Sequence, residues 1–113
     1  MRLIEQQMIA AIKDNNSFVK DNTEVKYSPS RCVSCVYLHG NLIATIGTNY
    51  VEIYDGGYQS NTTKSRLNAI INGLCDGMNQ GVYQHKFAWF IQDDERDMRN
   101  VIPFDNGYTF ERL

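Results

Sequence analysis

A cluster of hydroxyl, amide and cationic side chains stands at the start of a predicted helix in the middle of the chain. Its members, together with one later lysine, are Asn61, Thr62, Thr63, Lys64, Arg66 and Lys86. The first turn of a helix leaves backbone N–H groups unpaired, and the helix dipole favours negative charge there. Cations at this end are unfavourable for the helix itself. The cluster therefore predicts a site for an anion, either a phosphate or a carboxylate of a partner protein.

Capping is the alternative explanation for the same residues. The oxygen of Asn61, Thr62 or Thr63 could accept a backbone N–H bond and so begin the helix. One such side chain is enough for a cap, which leaves the other polar residues and the two cations unexplained. Both interpretations stay open.

A second group of candidate residues is aromatic. Tyr83 and Trp89 lie in a stretch that is dense in aromatic side chains and interleaved with Lys86. Rings on a sheet can stack on the bases of single-stranded nucleic acid. A domain of this size also needs large side chains for its core, and we favour that role, with Trp89 at the centre. Tyr83 and Trp89 remain the candidate stacking residues.

The C-terminal region is acidic. Residues 91–113 contain six Asp and Glu residues against three arginines. Four of the acids are close together, namely Asp93, Asp94, Glu95 and Asp97. The glycine and spacing of a calcium-binding loop are missing, so a solvated loop or a single helical turn is expected. The four carboxylates could also imitate phosphates, and they form a candidate acidic docking segment.

The cysteines suggest a third kind of site. Cys32 and Cys35 have CxxC spacing but fall within a predicted strand, where residues i and i+3 point to opposite faces. A zinc site could recruit a histidine or Cys75, yet a second CxxC and a close pair of histidines are missing. We expect buried structural cysteines, no metal and no cofactor. Zinc or thiol chemistry at Cys32 and Cys35 is the least favoured hypothesis.

Catalytic motifs are also missing. Neither histidine has a carboxylate beside it in the sequence, and a Gly-x-Ser-x-Gly nucleophile motif does not occur. We therefore expect a protein that is not an enzyme.

The elements that must position these residues follow from hydrophobic periodicity. Residues 2–13 predict an amphipathic helix, and residues 18–23 predict a loop. The second helix is predicted from a stripe that consists of Leu67, Ile70, Ile71, Leu74 and Met78. Between the helices, residues 24–27, 31–38, 42–46 and 50–54 predict an antiparallel meander.

The region after the second helix predicts further strands. Residues 82–85 and 87–91 indicate one interrupted strand or a tight pair. Residues 101–104 and 108–110 flank an Asp-Asn-Gly turn and predict a C-terminal hairpin. Pro103 would place its strand at a sheet edge, where a second copy of the chain could pair with it to form a homodimer.

Together these elements predict a single domain over residues 1–113 with an α+β fold. The expected order is α-β-β-β-β-α-β-β, with one or two further strands, and the antiparallel sheet and the two helices form two layers. A net charge of −2 argues against a nonspecific nucleic-acid coat. The chain lacks an apolar run long enough to span a membrane, and its N-terminus is too polar for a signal peptide. We therefore expect a cytoplasmic protein.

Three motifs resemble a pattern in small bacteriophage accessory proteins. They are LHGN at 38–41, TTKSRLNA at 62–69, and VYQHK at 82–86 followed by Trp89. The resemblance covers about residues 33–90 and leaves out the N-terminal helix and the acidic C-terminus. It implies no known reaction and no catalytic residues. It does imply a protein that binds host machinery or blocks host defences, in the cytoplasm of the infected cell.

Three functional hypotheses follow from the residues and the resemblance. The first is a non-catalytic protein that inhibits a host defence or nucleic-acid-processing complex, in the manner of anti-CRISPR or anti-restriction proteins. Its partner would be a host protein or ribonucleoprotein complex. The second is direct nucleic-acid binding through Lys64 and Arg66. The third is the zinc or thiol protein.

Overall fold

The computed structural model describes residues 1–95 and 98–113. Within these residues the chain forms two helices and nine strands. Their bounds are α1 Leu3–Lys13, β1 Phe18–Lys20, β2 Thr23–Ser28, β3 Val33–Leu38, β4 Asn41–Ile46, β5 Tyr50–Ile53, α2 Asn61–Leu74, β6 Gln80–His85, β7 Ala88–Asp93, β8 Val101–Pro103 and β9 Tyr108–Glu111. The predicted α+β class and the order of its elements are confirmed.

Helix α1 lies where periodicity predicted it. Its stripe of Met8, Ile9 and Ile12 is buried, as the helical spacing requires. Short polar residues follow the helix, and Asn15 adopts a left-handed φ of 55° that ends it.

Helix α2 ends before the last residue of the apolar stripe from which it was predicted. Leu67, Ile70 and Leu74 are buried, but the helix ends at Leu74 and leaves Met78 93% exposed in the following loop. The prediction for Met78 was wrong because Asp76 forms a local turn. Its carboxylate accepts hydrogen bonds from the backbone N–H of Met78 and from the side chain of Asn79. Such local side-chain bonds compete with continuation of the helix.

The larger sheet has six antiparallel strands in the order β1-β2-β3-β4-β5-β9. The meander predicted between the helices is therefore confirmed. The loop predicted over residues 18–23 was wrong, since β1 pairs with β2 in the register Phe18↔Val25. Asp21 makes the tight reversal possible with a left-handed φ of 53°. Short polar residues tolerate that conformation, which is why the turn reads as a loop in the sequence.

A second, three-stranded sheet has the order β6-β7-β8. Strands β6 and β7 form a tight pair, which is one of the two arrangements that the sequence left open. Pro103 lies in the edge strand β8 as expected. The predicted C-terminal hairpin was wrong, because β8 pairs with β7 whereas β9 pairs with β5. Burial of Phe110 against the larger sheet accounts for the difference. Gly107, with a φ of 90°, donates its N–H to Ile53 and helps the chain cross between the sheets.

A buried ion pair joins the two helices to the larger sheet. Arg66 of α2 donates from Nη1 to Oε2 of Glu5 in α1 at 2.8 Å, and both side chains are almost fully buried. Arg66 Nε also donates to the hydroxyl of Thr23 in β2 at 3.1 Å. Ser65 donates to the same Glu5 oxygen at 2.7 Å. Each buried charge therefore has several partners, as burial of a charge demands.

The ion pair predicts a large loss of stability when Arg66 is truncated. Arg66→Met leaves the buried Glu5 carboxylate without its countercharge, which typically destabilises by about 3–5 kcal/mol. Lys64→Met on the surface of the same helix is the matched control, with an expected change within about 0.5 kcal/mol. Urea denaturation measures both free energies of unfolding. Equal effects of the two substitutions would contradict the structural role of Arg66.

The pKa of Glu5 predicts a stability that falls in acid. Burial by itself would raise this pKa, but hydrogen bonds from Ser65 and Arg66 outweigh it and hold the pKa below its ordinary value of 4.5. As pH falls, the unfolded chain takes up the proton first, so the contribution of Glu5 is lost as pH passes through the folded pKa. We expect the urea midpoint to fall more steeply between neutral pH and about pH 3 for the wild type than for Glu5→Gln. Parallel pH profiles would refute this.

Candidate interaction surface

The start of α2 is capped by a residue outside the predicted set. Ser60 Oγ accepts the backbone N–H of Thr63 at 3.1 Å, and the hydroxyls of these two residues lie 2.8 Å apart. Thr63 is therefore buried in the cap. Asn61 is exposed and Thr62 is half-buried, so these two remain accessible at the helix start.

Arg66 is not part of the accessible helix start. It is 3% exposed, and its guanidinium contacts Glu5, Thr23 and Asn22 inside the protein. The expectation that Arg66 offers its charge to a partner is corrected by this placement. Its anion is the carboxylate of Glu5, which lies 61 residues earlier in the chain.

Lys64 points in another direction and joins the helix start to the β6–β7 hairpin. Its Nζ donates to Oε1 of Gln84 in β6 at 3.4 Å. Lys86 is exposed two residues after Gln84, in the turn of the same hairpin. The structure thus brings Lys64 and Lys86, which are 22 positions apart in the sequence, to one region. No acidic residue occurs between positions 77 and 92.

The two candidate stacking residues have different environments. Trp89 is 4% exposed, and its ring meets Phe104 edge to face at a centroid distance of 5.3 Å. Trp89 is therefore too buried to stack on a base, which corrects that expectation, and its favoured role in the core is confirmed. Tyr83 is half-buried and stacks on Phe90, with ring centroids 5.7 Å apart. This pair occupies the face of the three-stranded sheet opposite Trp89, because side chains alternate along a strand.

Phe87 is a surface residue that the sequence reasoning missed. It is 96% exposed at the tip of the hairpin. Lys86 and Phe87 make the two-residue turn between β6 and β7, with φ values of 48° and 67°. Such turns ordinarily carry Asn-Gly or similar pairs, so Lys-Phe gave no turn signal, and Phe87 was assigned to a strand.

These placements define what we call the hairpin surface. It consists of Tyr83 and Phe90 on one face of the sheet and of Lys86 and Phe87 in the turn. Lys64 reaches the hairpin from the other face, where Gln84 is paired with Trp89. The hairpin surface combines aromatic rings with a cation and lacks an acid of its own. Such a surface can hold an aromatic or apolar group and a neighbouring negative charge, both of which are common chemistry at protein interfaces.

Asn68 holds this hairpin against α2. Its side-chain amide donates to the backbone carbonyl of Val82 and accepts the N–H of the same residue, both at 2.8 Å. The amide therefore occupies the position that a neighbouring strand would take along the edge of β6. This role of Asn68 has no signal in the sequence, because an amide on a helix surface is usually solvated.

Two carboxylates of the predicted acidic segment accept hydrogen bonds from other groups of the same chain. Asp93 accepts the hydroxyl of Tyr108 at 2.6 Å, and burial together with this carboxylate raises the pKa of Tyr108 to about 12. Asp94 accepts the backbone N–H of Asn100 at 2.8 Å, which lowers its pKa. Glu95 is exposed, and Asp97 lies outside the described residues.

The cysteines do not share one environment. Cys32 is exposed in the turn before β3 with a φ of 53°, whereas Cys35 is half-buried within the strand. The expectation of buried cysteines in one strand was therefore wrong for Cys32. Cys75 is buried, and burial raises the pKa of its thiol to about 11. In residues 1–95 and 98–113, no three His, Cys, Asp or Glu side chains are grouped as metal ligands.

The described part of the chain contains no helix that is long and apolar enough to cross a membrane. The structure thus defines a small α+β domain that presents a cationic and aromatic hairpin.

The sequence matches the family described as "Kyanoviridae Gp96 protein" over residues 1–111. The chain therefore belongs to this bacteriophage protein family. The match includes the N-terminal helix and the acidic C-terminus, both of which lie outside the resemblance first noted at residues 33–90. No curated protein and no solved structure gives a significant match.

The role of Asn68 predicts a specific weakening of the hairpin. Asn68→Asp replaces the donor to Val82 with a carboxylate oxygen that faces the carbonyl, and leaving such a buried group unpaired typically destabilises by about 1–3 kcal/mol. Asn72→Asp, one helical turn later on an exposed side chain, is the control for the added charge. Amide hydrogen exchange at Val82 should accelerate in the first variant only. Similar exchange rates in both variants would count against this role.

Proposed function

We propose that this phage protein is a non-catalytic inhibitor that binds a host defence or nucleic-acid-processing complex in the cytoplasm of the infected cell. The observation that carries the proposal is the hairpin surface, where the exposed Phe87 stands beside Lys86 in the turn and Lys64 contacts Gln84 of the same hairpin. Membership of a phage family makes a host partner the natural candidate.

The composition of the hairpin surface supports a protein or ribonucleoprotein partner. Aromatic side chains are enriched at protein interfaces and account for much of their binding energy. Phe87 gains almost nothing from the fold of its own chain, since 96% of it faces solvent. A partner that covers this ring would remove a large apolar area from water.

Direct nucleic-acid binding is the second candidate function. Lys64 and Lys86 could contact phosphates, and the Tyr83–Phe90 pair offers a ring face. The burial of Arg66 removes one of the cations on which this hypothesis depended. Because affinity for nucleic acid rises with the number of neutralised phosphates, two lysines on a chain of net charge −2 make it the weaker proposal.

Other candidate partners would contact other parts of the chain. Strand β8 is the free edge of the three-stranded sheet, and a second copy could pair along it to form a homodimer. Glu95 could extend an acidic contact to a basic partner. Zinc or thiol chemistry rests on Cys32 and Cys35 alone and is the least supported.

A capture experiment in the phage host tests the leading proposal. Tagged wild-type protein should enrich a host complex, whereas Lys64→Glu/Lys86→Glu should enrich it at least about tenfold less, because both cations become acids. Met78→Ala, at an exposed apolar residue in the loop after α2, is the control and should behave as the wild type.

The same experiment separates the two candidate functions. Capture that survives nuclease treatment and is lost in the charge variant supports a protein partner. Capture that nuclease abolishes, with binding to an oligonucleotide that falls steeply with salt, indicates nucleic acid instead. Equal capture by the wild type and the charge variant would place the binding site elsewhere, and no enrichment at all would refute the inhibitor proposal.

A further inference from the structure

The two turn residues of the β6–β7 hairpin are unfavourable in two respects. Their type does not fit the backbone conformation of the turn, and Phe87 exposes an apolar ring to solvent. Lys86 and Phe87 both have left-handed φ values, which residues other than glycine and asparagine rarely adopt. Asn-Gly would form this two-residue turn with less strain. Residues held in such conformations occur preferentially at binding sites, where the strain presents a side chain.

The exposed face of the three-stranded sheet continues from this turn. The strand register places Tyr83, Phe90 and Pro103 in one row across β6, β7 and β8. Ala88, which is exposed, lies on the same face in the row next to the turn. The row is therefore an apolar strip that crosses the three strands, and the His85–Ala88 pair lies between it and the tip at Phe87. The opposite face carries Trp89 and is buried in the core.

The charge nearest the turn is positive. Residues 77–92 contain Lys86 and no acid, and the acids that follow, Asp93 and Asp94, lie at the end of β7 that is far from the turn. Lys64 lies beside Gln84 at the inner side of the hairpin. A partner that is complementary to this region would carry carboxylates around an apolar site, because like charges opposed across an interface are strongly unfavourable.

From this arrangement we infer that the hairpin docks on an acidic surface of a host protein, with the Phe87 ring inserted into an apolar pocket and Lys86 paired with a carboxylate at its rim. The Tyr83–Phe90–Pro103 strip then covers the flat apolar area beside the pocket. This inference rests on the proposed function and assigns the part of the chain that does the binding.

A protein suits this surface better than nucleic acid does. An exposed ring with a cation beside it resembles the aromatic anchors that dominate protein interfaces. Nucleic-acid grooves instead line up many cations along a backbone.

A turn replacement tests whether Lys86 and Phe87 serve binding or folding. Lys86→Asn/Phe87→Gly installs the residues that this turn geometry prefers, so the urea midpoint should rise while capture of the host protein falls at least about tenfold, the scale of a hot-spot residue. Met78→Ala should change neither property. A variant that is more stable and still binds normally would overturn the inference, and so would a variant that is less stable.

Site-specific photocrosslinking identifies the contact directly. The probe is benzoylphenylalanine, placed at position 87 or, as the control, at position 78 of the full chain expressed in the host. We expect a crosslink from position 87 only, to one host protein, at a peptide that contains Asp or Glu beside apolar residues. A nuclease-sensitive adduct at position 87 would overturn the inference in favour of nucleic acid.

The outcomes separate this inference from the proposed function. If tagged protein captures a host complex but position 87 forms no crosslink to it, the hairpin docking is wrong and the inhibitor proposal stands. If neither capture nor crosslink occurs, both fail.

Discussion

The buried ion pair between Glu5 and Arg66 is the interaction on which the rest of the structure depends. Transfer of two charges from water is unfavourable, and only close geometry with further hydrogen bonds compensates for it. Thr23 and Ser65 supply those bonds, so the pair fixes α1, α2 and the larger sheet at one point. The same contact decides which cation reaches the surface. The guanidinium of Arg66 is buried in the ion pair. Lys64 lies on another side of the helix and remains at the surface.

Helix α2 also connects the two sheets. Arg66 attaches it to the six-stranded sheet, and Asn68, two residues later, attaches it to the edge of β6. The chain crosses between the sheets again before β9, where Phe110 is buried. The three-stranded sheet is thus held along one edge and one face. Its other face and its turn at Phe87 extend away from these attachments and are exposed or half-buried.

Stability and binding place opposite demands on this turn. A hairpin selected only for folding would carry glycine or asparagine where Lys86 and Phe87 adopt left-handed conformations. The residues present strain the backbone and expose a ring, and the strain is tolerated because the strands on both sides are fully paired. In the docking that we propose, this local conflict between residue type and backbone conformation lies at the element that contacts the partner.

Local patterns in the sequence by themselves determined both helices, the meander and the edge position of Pro103, because periodicity and turn chemistry act over a few residues. They also identified Lys64, Lys86 and Tyr83 as candidate site residues. Only the tertiary structure decided that Arg66 and Trp89 are buried. It also decided that β9 pairs with β5 instead of β8, and that Phe87 lies at the exposed turn of the hairpin. These outcomes depend on contacts between distant segments, such as Glu5 with Arg66. A charged side chain looks the same in the sequence whether its counterion is solvent, a partner, or a carboxylate 61 residues away.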